Sequence, residues 1–252
     1  MYKRSDKNWI VIAGPCAAES REQIMKCAEA VSKYKNTILR AGIWKPRTKA
    51  GSWQGVGDEA LEWMSDARGK FDIAIATETK DEESLMKVIE YEFDLVWVGA
   101  RNGMNYSLLE KIGENFGDKE NVIILKRSMG ADLDEWLGAA QYILKYTKNL
   151  ILCERGIKGF PRNTRNVLDI QTAKLAQTES KLKTIVDLSH AAGRRDLVIP
   201  MSLAAKAAGF DGIMVEIHPE PDKAKTDSSQ QLTLEEFKGL MEKLNKIPDH
   251  LA

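Results

Sequence analysis

The stretches TIVDLSH (184–190) and GIMVEIHP (212–219) decide the fold of this chain. Both are near-continuous runs of Val, Ile and Leu, which is typical of parallel strands covered by helices. MSLAAKAAG (201–209) lies between them and has a helical composition, with Gly209 at the expected helix end. The strand–helix–strand order predicts a parallel sheet.

Six more strand-like runs precede this pair at intervals of about thirty residues. They are IVIAGPC (10–16), TILRAG (37–42), FDIAIATE (71–78), DLVWVGA (94–100), NVIILKR (121–127) and NLILCERG (149–156). Helical patterns alternate with the strands, among them REQIMKCAEAVSKY (21–34) with Ser20 as N-cap, DEESLMKVIEYE (81–92), DLDEWLGAAQYILKY (132–146), TRNVLDIQTAKLAQ (164–177) and LTLEEFKGLMEKLNKI (232–247). Eight alternations predict a single α/β domain over residues 1–252, a (β/α)8 TIM barrel. An open, doubly wound sheet is the alternative.

The composition argues against several classes of protein. Lys plus Arg and Asp plus Glu number 37 each, so no overall charge recruits nucleic acid or a membrane surface. Three cysteines without C-x-x-C spacing fit a reducing compartment, and no apolar run has the length of a membrane span. The N-terminal sequence does not have the pattern of a signal peptide, so we expect a cytoplasmic protein.

Four potential metal ligands lie near the ends of the first, seventh and eighth strands, which become neighbours only in a closed barrel. They are Cys16, His190, Glu216 and Asp227. A thiolate, an imidazole and two carboxylates suit Mn²⁺, Fe²⁺ or Zn²⁺. Taken singly, each has a simpler explanation as a core cysteine, a surface histidine or a polar turn residue. Their convergence predicts a metal site.

Cations follow the other strands: Arg40, Lys45, Arg47, Arg101, Lys126, Arg127 and Arg155. At the mouth of one barrel they would form an anion-selective pocket, in which Arg binds carboxylate or phosphate through two parallel hydrogen bonds. The alternative is that they extend into solvent, or that acids such as Glu78 and Glu154 pair with them. The second, fourth and fifth strands end in cations without an acid next to them in sequence, which favours the pocket.

Other features carry less information. The loop TKAGSWQGVGDEA (48–60) has three glycines that could approach a phosphate, but it is not a P-loop. His218 is expected to support the site, and Cys27 and Cys153 to be core residues.

The motifs together resemble one family. AGPC, LRAGIWKPRT, GSWQGVG, VGARN, ILKR, LCERG, TRNVLDI, LSHAAGRRDLVIP and VEIHPEP with TDSSQQL span nearly the whole chain. They are similar to the 3-deoxy-D-arabino-heptulosonate 7-phosphate (DAHP) synthases of the type I-beta subgroup. The resemblance implies a transferase that condenses phosphoenolpyruvate with erythrose 4-phosphate and water, releasing phosphate, as the first step of the shikimate pathway.

The resemblance also implies roles for individual residues. It makes Cys16, His190, Glu216 and Asp227 ligands of one divalent ion. Mn²⁺ is the expected ion, and Fe²⁺, Zn²⁺ and Co²⁺ are the alternatives. Phosphoenolpyruvate contacts fall on Arg40, Lys45, Arg101, Lys126 and Arg155, and aldose-phosphate contacts on Pro46, Arg47 and Thr48. Lys45, His190 and Cys16 are the expected catalytic residues. A homodimer or homotetramer is expected, with a chorismate mutase partner or a fused domain outside this chain.

Two alternatives stay open at this point. The related 3-deoxy-D-manno-octulosonate 8-phosphate synthases use arabinose 5-phosphate, but carry Asn-Arg-Ser where this chain has KPRT (45–48). A non-catalytic barrel could bind phosphorylated metabolites as a scaffold. Departures from the family at DLSH (187–190), KAGSWQG (49–55) and GMN (103–105) affect loops and remove no expected ligand.

Overall fold

In a computed structural model, eight parallel strands close into a barrel in chain order, and the first strand pairs with the eighth. The structure describes residues 9–45, 51–117 and 120–248. The strands are β1 (Ile10–Gly14), β2 (Thr37–Arg40), β3 (Ala74–Thr79), β4 (Leu95–Val98), β5 (Val122–Lys126), β6 (Leu150–Glu154), β7 (Lys183–Asp187) and β8 (Gly212–Glu216). The prediction of a (β/α)8 barrel is confirmed, and the open sheet is excluded.

Helices surround the barrel. They are α1 (Arg21–Ser32), α2 (Glu59–Phe71), α3 (Glu82–Glu90), α4 (Tyr106–Phe116), α5 (Leu133–Leu144), α6 (Ile170–Ser180), α7 (Leu188–Ala192), α8 (Arg195–Ala207) and α9 (Leu234–Leu244). Ser20 caps α1 as predicted, because its side chain accepts a hydrogen bond from the backbone N–H of Gln23. No helix among the described residues is both long enough and apolar enough to cross a membrane.

The alternation of side chains along each strand separates two cores. Inward-facing residues such as Ile12, Ile124 and Met214 fill the barrel, whereas outward-facing residues such as Val11 and Val215 pack against the helices. Where the inward series reaches the carboxyl ends of the strands, it changes from apolar to polar side chains. Those inward polar residues are Arg40, Glu78, Lys126, Arg155, Asp187 and Glu216, and they lie where barrel enzymes build their active sites.

Gly14 allows the first two strands to approach closely at this end of the barrel. A Cβ atom built on Gly14 would lie 1.9 Å from the backbone oxygen of Arg40. Any larger residue would therefore displace the end of β2, and the Arg40 side chain with it.

Arg127 faces the outer core, not the barrel interior. Its guanidinium lies 3.2 Å from the buried carboxylate of Glu154 and 2.9 Å from Asp169, which caps α6. Its Nε donates a hydrogen bond to the backbone oxygen of Ala131, and its charge lies over the Trp136 ring. Arg127 therefore joins β5, β6 and α6, and its predicted place in the anion pocket is wrong.

Two local predictions also need correction. His190 does not end a strand: it lies in the short helix α7, because Asp187 ends β7 and caps that helix through the backbone N–H of His190. In TRNVLDIQTAKLAQ, the residues before Ile170 are loop, and α6 begins only after the Asp169 cap. In both places the helix begins directly after a capping aspartate.

Candidate active site

A cavity of about 250 Å³ opens at the carboxyl ends of the strands. Its lining includes cations from four strands and ligand-type residues near β7 and β8. The lining residues are Arg40, Lys45, Ser52, Glu78, Trp97, Gly99, Ala100, Arg101, Lys126, Met129, Arg155, Arg165, His190 and Asp227. His190 and Asp227, two of the four predicted metal ligands, thus line the same cavity as five of the predicted cations.

The four predicted metal ligands converge. One ligand atom from each of Cys16, His190, Glu216 and Asp227 lies within 4.8 Å of the others. The Cys16 thiol donates to Asp227 Oδ2 at 3.4 Å, and His190 Nε2 lies 3.4 Å from Glu216 Oε1. Among the described residues, this is the one such group of His, Cys, Asp and Glu side chains. We call it the ligand cluster.

The protonation of the ligand cluster is set by burial and by neighbouring charges. Burial raises the pKa of the Cys16 thiol to about 12, and the charge of Glu216 adds to the effect. Burial also lowers the pKa of His190, although Asp187 and Glu216 oppose that shift, so its imidazole is neutral at pH 7. Burial works against ionisation of Glu216, but His190 and Arg40 outweigh it and lower the pKa of that carboxyl.

Hydrogen bonding shows that the ligand cluster fits a cation. His190 Nδ1 lies 2.9 Å from the Asp187 carboxylate, so this nitrogen carries the proton and Nε2 keeps its lone pair. That lone pair faces Glu216 Oε1, a buried oxygen with no hydrogen-bond partner, and Arg40 Nη1 is 3.4 Å from the same oxygen. Two electron-rich atoms in this arrangement, beside a thiol and a second carboxylate, are a donor set for a transition-type divalent ion.

Arg40, Lys45 and Trp97 form the floor of the cavity. Arg40 is 1% exposed, and its guanidinium lies 4.6 Å from the centroid of the Trp97 ring. Lys45 Nζ donates hydrogen bonds to the backbone oxygen and the thiol of Cys16, each at 3.1 Å. Burial opposes the charge on Lys45, but Cys16, Glu78 and Glu216 outweigh burial and raise its pKa. Lys45 is therefore a charged ammonium that lines the cavity and contacts the ligand cluster through Cys16.

Three more cations line the cavity: Lys126, Arg155 and Arg101. Together with Arg40 we call them the cationic wall. Lys126 and Arg155 are 4% and 5% exposed, whereas Arg101 lies exposed at the rim. Lys126 pairs with Asp187 at 2.5 Å, and Arg40 with Glu216. Two of these cations are therefore paired with acids from other strands, although no acid is next to them in sequence. Even so, the lining holds more cationic than anionic side chains.

Sequence reasoning missed several residues of the cavity. Arg165 pairs with Asp227 at 3.1 Å and also donates to Gln230 Oε1 at 2.9 Å. Gln230 Nε2 in turn donates to Glu216 Oε2 at 2.7 Å, so one amide joins two members of the site. Trp97 and Asp187 could have been found by continuing the inward alternation of β4 and β7, but Arg165 comes from a loop that no periodicity predicts.

Other predicted residues lie elsewhere. His218 lies in a separate cavity beside Glu19 and Gln23, and its Nδ1 accepts a hydrogen bond from the backbone N–H of Glu220. It therefore does not line the cavity of the candidate active site. Cys27 and Cys153 are buried core residues, as predicted. Pro46, Arg47 and Thr48 lie outside the described residues.

Comparisons with known proteins point to one family. The profile of the DAHP synthetase I family matches residues 2–251. A phospho-2-dehydro-3-deoxyheptonate aldolase of Thermotoga maritima is 44% identical over 243 residues, which cover 96% of this chain and 70% of that protein. A 2-dehydro-3-deoxyphosphooctonate aldolase of Desulfotalea psychrophila is 26% identical over 268 residues, covering 94% and 89%.

A solved structure agrees with the sequence comparisons. The crystal structure of the Thermotoga maritima DAHP synthase superposes with a TM-score of 0.91 at 42% identity, covering 98% of this chain and 71% of that one. The likeness therefore extends over the whole barrel, including the strand ends that carry the cavity.

Proposed function

The chain belongs to the DAHP synthetase I family, and from that premise we propose how its cavity condenses phosphoenolpyruvate with D-erythrose 4-phosphate and water. The products are DAHP and inorganic phosphate, and the reaction is the first step of the shikimate pathway to chorismate and the aromatic amino acids. The observation that carries the proposal is that His190 and Asp227 of the ligand cluster line the same cavity as Arg40, Arg101, Lys126 and Arg155, with Cys16 and Glu216 grouped within 4.8 Å of those two ligands.

The cationic wall binds phosphoenolpyruvate. This substrate carries a carboxylate and a phosphate, and Arg40, Lys126 and Arg155 offer largely buried charges to both, with Arg101 at the rim. Charge-assisted hydrogen bonds are strongest where water is excluded. Fixing the enol phosphate beside the aldehyde also makes the bond-forming step effectively intramolecular.

Cys16, His190, Glu216 and Asp227 would hold the divalent ion, for which we propose Mn²⁺, with Fe²⁺, Zn²⁺ or Co²⁺ as alternatives. When bound, such an ion supplies Lewis-acid stabilisation of negative charge on the aldehyde oxygen. His190 would bind the ion through Nε2, because Asp187 holds Nδ1. The hydrogen bond from Gln230 would hold the Glu216 carboxylate in place for the same role.

Lys45 is the proton donor in this proposal. As the new carbon–carbon bond forms, the aldehyde oxygen gains charge and must take up a proton, while water adds to the enol carbon that loses phosphate. Lys45 Nζ lies in the cavity next to Cys16, and its raised pKa keeps it protonated at neutral pH. A proton donor close to its acceptor contributes about 10²–10⁴-fold to the rate.

The segment after Lys45 is proposed to select the aldose phosphate. Pro46, Arg47 and Thr48 follow Lys45 directly in sequence, and Lys45 lines the cavity. Pro46 removes a backbone N–H and fixes φ, which suits a rigid wall for a four-carbon aldehyde.

We propose one catalytic domain over residues 1–252, a cytoplasmic location and a homodimer or homotetramer, with a chorismate mutase partner or a fused domain as the source of regulation. Three free, buried cysteines support a reducing compartment. Light scattering of the purified chain tests the assembly.

One assay tests the proposed reaction: loss of phosphoenolpyruvate with erythrose 4-phosphate and, separately, with arabinose 5-phosphate. We expect turnover with erythrose 4-phosphate alone. Turnover only with arabinose 5-phosphate would overturn the substrate assignment, and no turnover with either in metal-replete protein would favour a non-catalytic scaffold.

A further inference from the structure

Asp187 contacts one residue of the ligand cluster and one residue of the cationic wall. It is the last residue of β7, faces inward and is 0% exposed. It contacts both Lys126, on β5, and His190, on α7. A carboxylate is costly to bury without partners, so this position calls for an account of what Asp187 contacts.

Its two oxygens accept hydrogen bonds from three donors. Lys126 Nζ lies 2.5 Å from Oδ2, His190 Nδ1 lies 2.9 Å from Oδ2 and 3.0 Å from Oδ1, and the His190 backbone N–H donates to Oδ1 at 3.1 Å. Burial alone would raise the pKa of Asp187, but His190 and Lys126 together hold it well below its usual range. One ionised group therefore fixes a proposed metal ligand and a proposed substrate-binding cation.

We propose that Asp187 is a positioning residue through which metal binding and phosphoenolpyruvate binding are thermodynamically coupled. The inference rests on the proposed function, because it takes the divalent ion and phosphoenolpyruvate as ligands of this cavity. Asp187 accepts a hydrogen bond from Nδ1 of His190, which leaves Nε2 free for the ion. The same oxygen, Oδ2, accepts a hydrogen bond from Lys126 and holds it in the cationic wall. With an ion bound, the Nδ1–H of His190 would be a stronger donor to Asp187, and the attraction between Asp187 and the Lys126 ammonium would weaken, which would leave more of that charge for the substrate.

Chemistry limits what a substitute for Asp187 can do. Asn has nearly the same shape, but one acceptor oxygen, and its amide nitrogen is a donor. Asp187→Asn can therefore keep the α7 cap and one side-chain partner, but not both Lys126 and His190. Asp187→Ser keeps a capping oxygen for α7 and is too short to reach either side chain.

The experiment measures four equilibria by calorimetry for each variant: Mn²⁺ and phosphoenolpyruvate binding, each with and without the other ligand. The ratio of the two phosphoenolpyruvate constants is the coupling factor, which for linked sites is typically about 5–150. In Asp187→Asn and Asp187→Ser we expect Mn²⁺ affinity to fall about 10–100-fold. We also expect the coupling factor to fall at least about fivefold relative to the unmodified chain.

Asp169→Asn is the matched control. Asp169 also caps a helix and also pairs with a buried cation, Arg127, but it lies outside the barrel. It should lose stability without changing either binding constant, which separates positioning from a general structural effect. Circular dichroism confirms the folded state of each variant, and Asp187→Ser replaces Asp187→Asn should the latter not fold.

The outcomes separate this inference from the proposed function. Folded Asp187 variants with unchanged Mn²⁺ affinity, or with an unchanged coupling factor, would overturn the inference and leave the proposed function standing. An unmodified chain that binds neither Mn²⁺ nor phosphoenolpyruvate would overturn both.

Discussion

Arg127 and Lys126 are adjacent in sequence, but the structure predicts different effects on phosphoenolpyruvate binding when each is replaced by Met. Arg127→Met removes the partner of Glu154, which is 0% exposed, and one partner of Asp169. Leaving a buried charge uncompensated costs about 3–5 kcal/mol. For a domain of this size that corresponds to a fall in Tm of about 6–20 °C. Phosphoenolpyruvate affinity should not change, because Arg127 does not line the cavity.

The pH dependence sharpens this prediction. Burial raises the pKa of Glu154, and Arg127 is the strongest opposing influence, so its removal raises that pKa further. A carboxyl whose folded pKa lies above its unfolded value loses stability as pH rises. The loss in Arg127→Met should therefore be larger at pH 8 than at pH 5.

Urea unfolding at both pH values, with calorimetric binding of phosphoenolpyruvate, checks these effects. Lys126→Met is the comparison: it should weaken phosphoenolpyruvate binding on the order of 10–150-fold, the loss of one hydrogen bond to a charged group. An Arg127→Met protein of normal stability whose phosphoenolpyruvate affinity falls as far as that of Lys126→Met would refute the assignment of the two side chains.

Three further variants and one control test the site. Burial raises the pKa of the Cys16 thiol to about 12, so a metal ion that binds its thiolate at pH 7.5 must release about one proton, seen by calorimetry in buffers of different ionisation enthalpy. Cys16→Ser should abolish that release and Cys27→Ala should not; equal release from all three proteins would contradict the ligand role. Trp97→Leu removes the ring beneath Arg40 and Lys126 and should weaken phosphoenolpyruvate binding about 5–30-fold, with metal affinity unchanged. Gln230→Leu frees Glu216 and should lower metal affinity about 10–100-fold, and unchanged affinity in a chelator competition would count against that orienting role.

The barrel could be predicted from the sequence because parallel strands buried on both faces consist almost entirely of apolar residues. β5 and β8 show this directly, and their alternation also places Lys126 and Glu216 inward. The element boundaries were less predictable. At LSHAA (188–192), apolar residues continue after β7, and only the capping geometry of Asp187 shows that a helix has begun.

The ligand cluster was predictable because Cys16, His190, Glu216 and Asp227 follow or end β1, β7 and β8, which are neighbours only in a closed barrel. The partners of those residues were not. The pairing of Lys126 with Asp187, and of Asp227 with Arg165, joins residues more than sixty positions apart. Such contacts depend on the register of the closed barrel and on loop paths, which local patterns do not determine. Arg127 was predicted in the anion pocket because it follows Lys126, but adjacent residues of a strand face opposite sides, and Arg127 faces the core between the barrel and the helices.

The most direct test of the account is a metal titration of turnover. The chain is stripped with EDTA, and phosphoenolpyruvate consumption with erythrose 4-phosphate is followed as Mn²⁺ is returned in steps. The ligand cluster predicts that activity disappears on stripping and returns in proportion to added ion until one equivalent per chain is bound. Full turnover in the stripped chain, or an end point unrelated to one equivalent, would contradict a cavity that joins one metal site to one anion pocket.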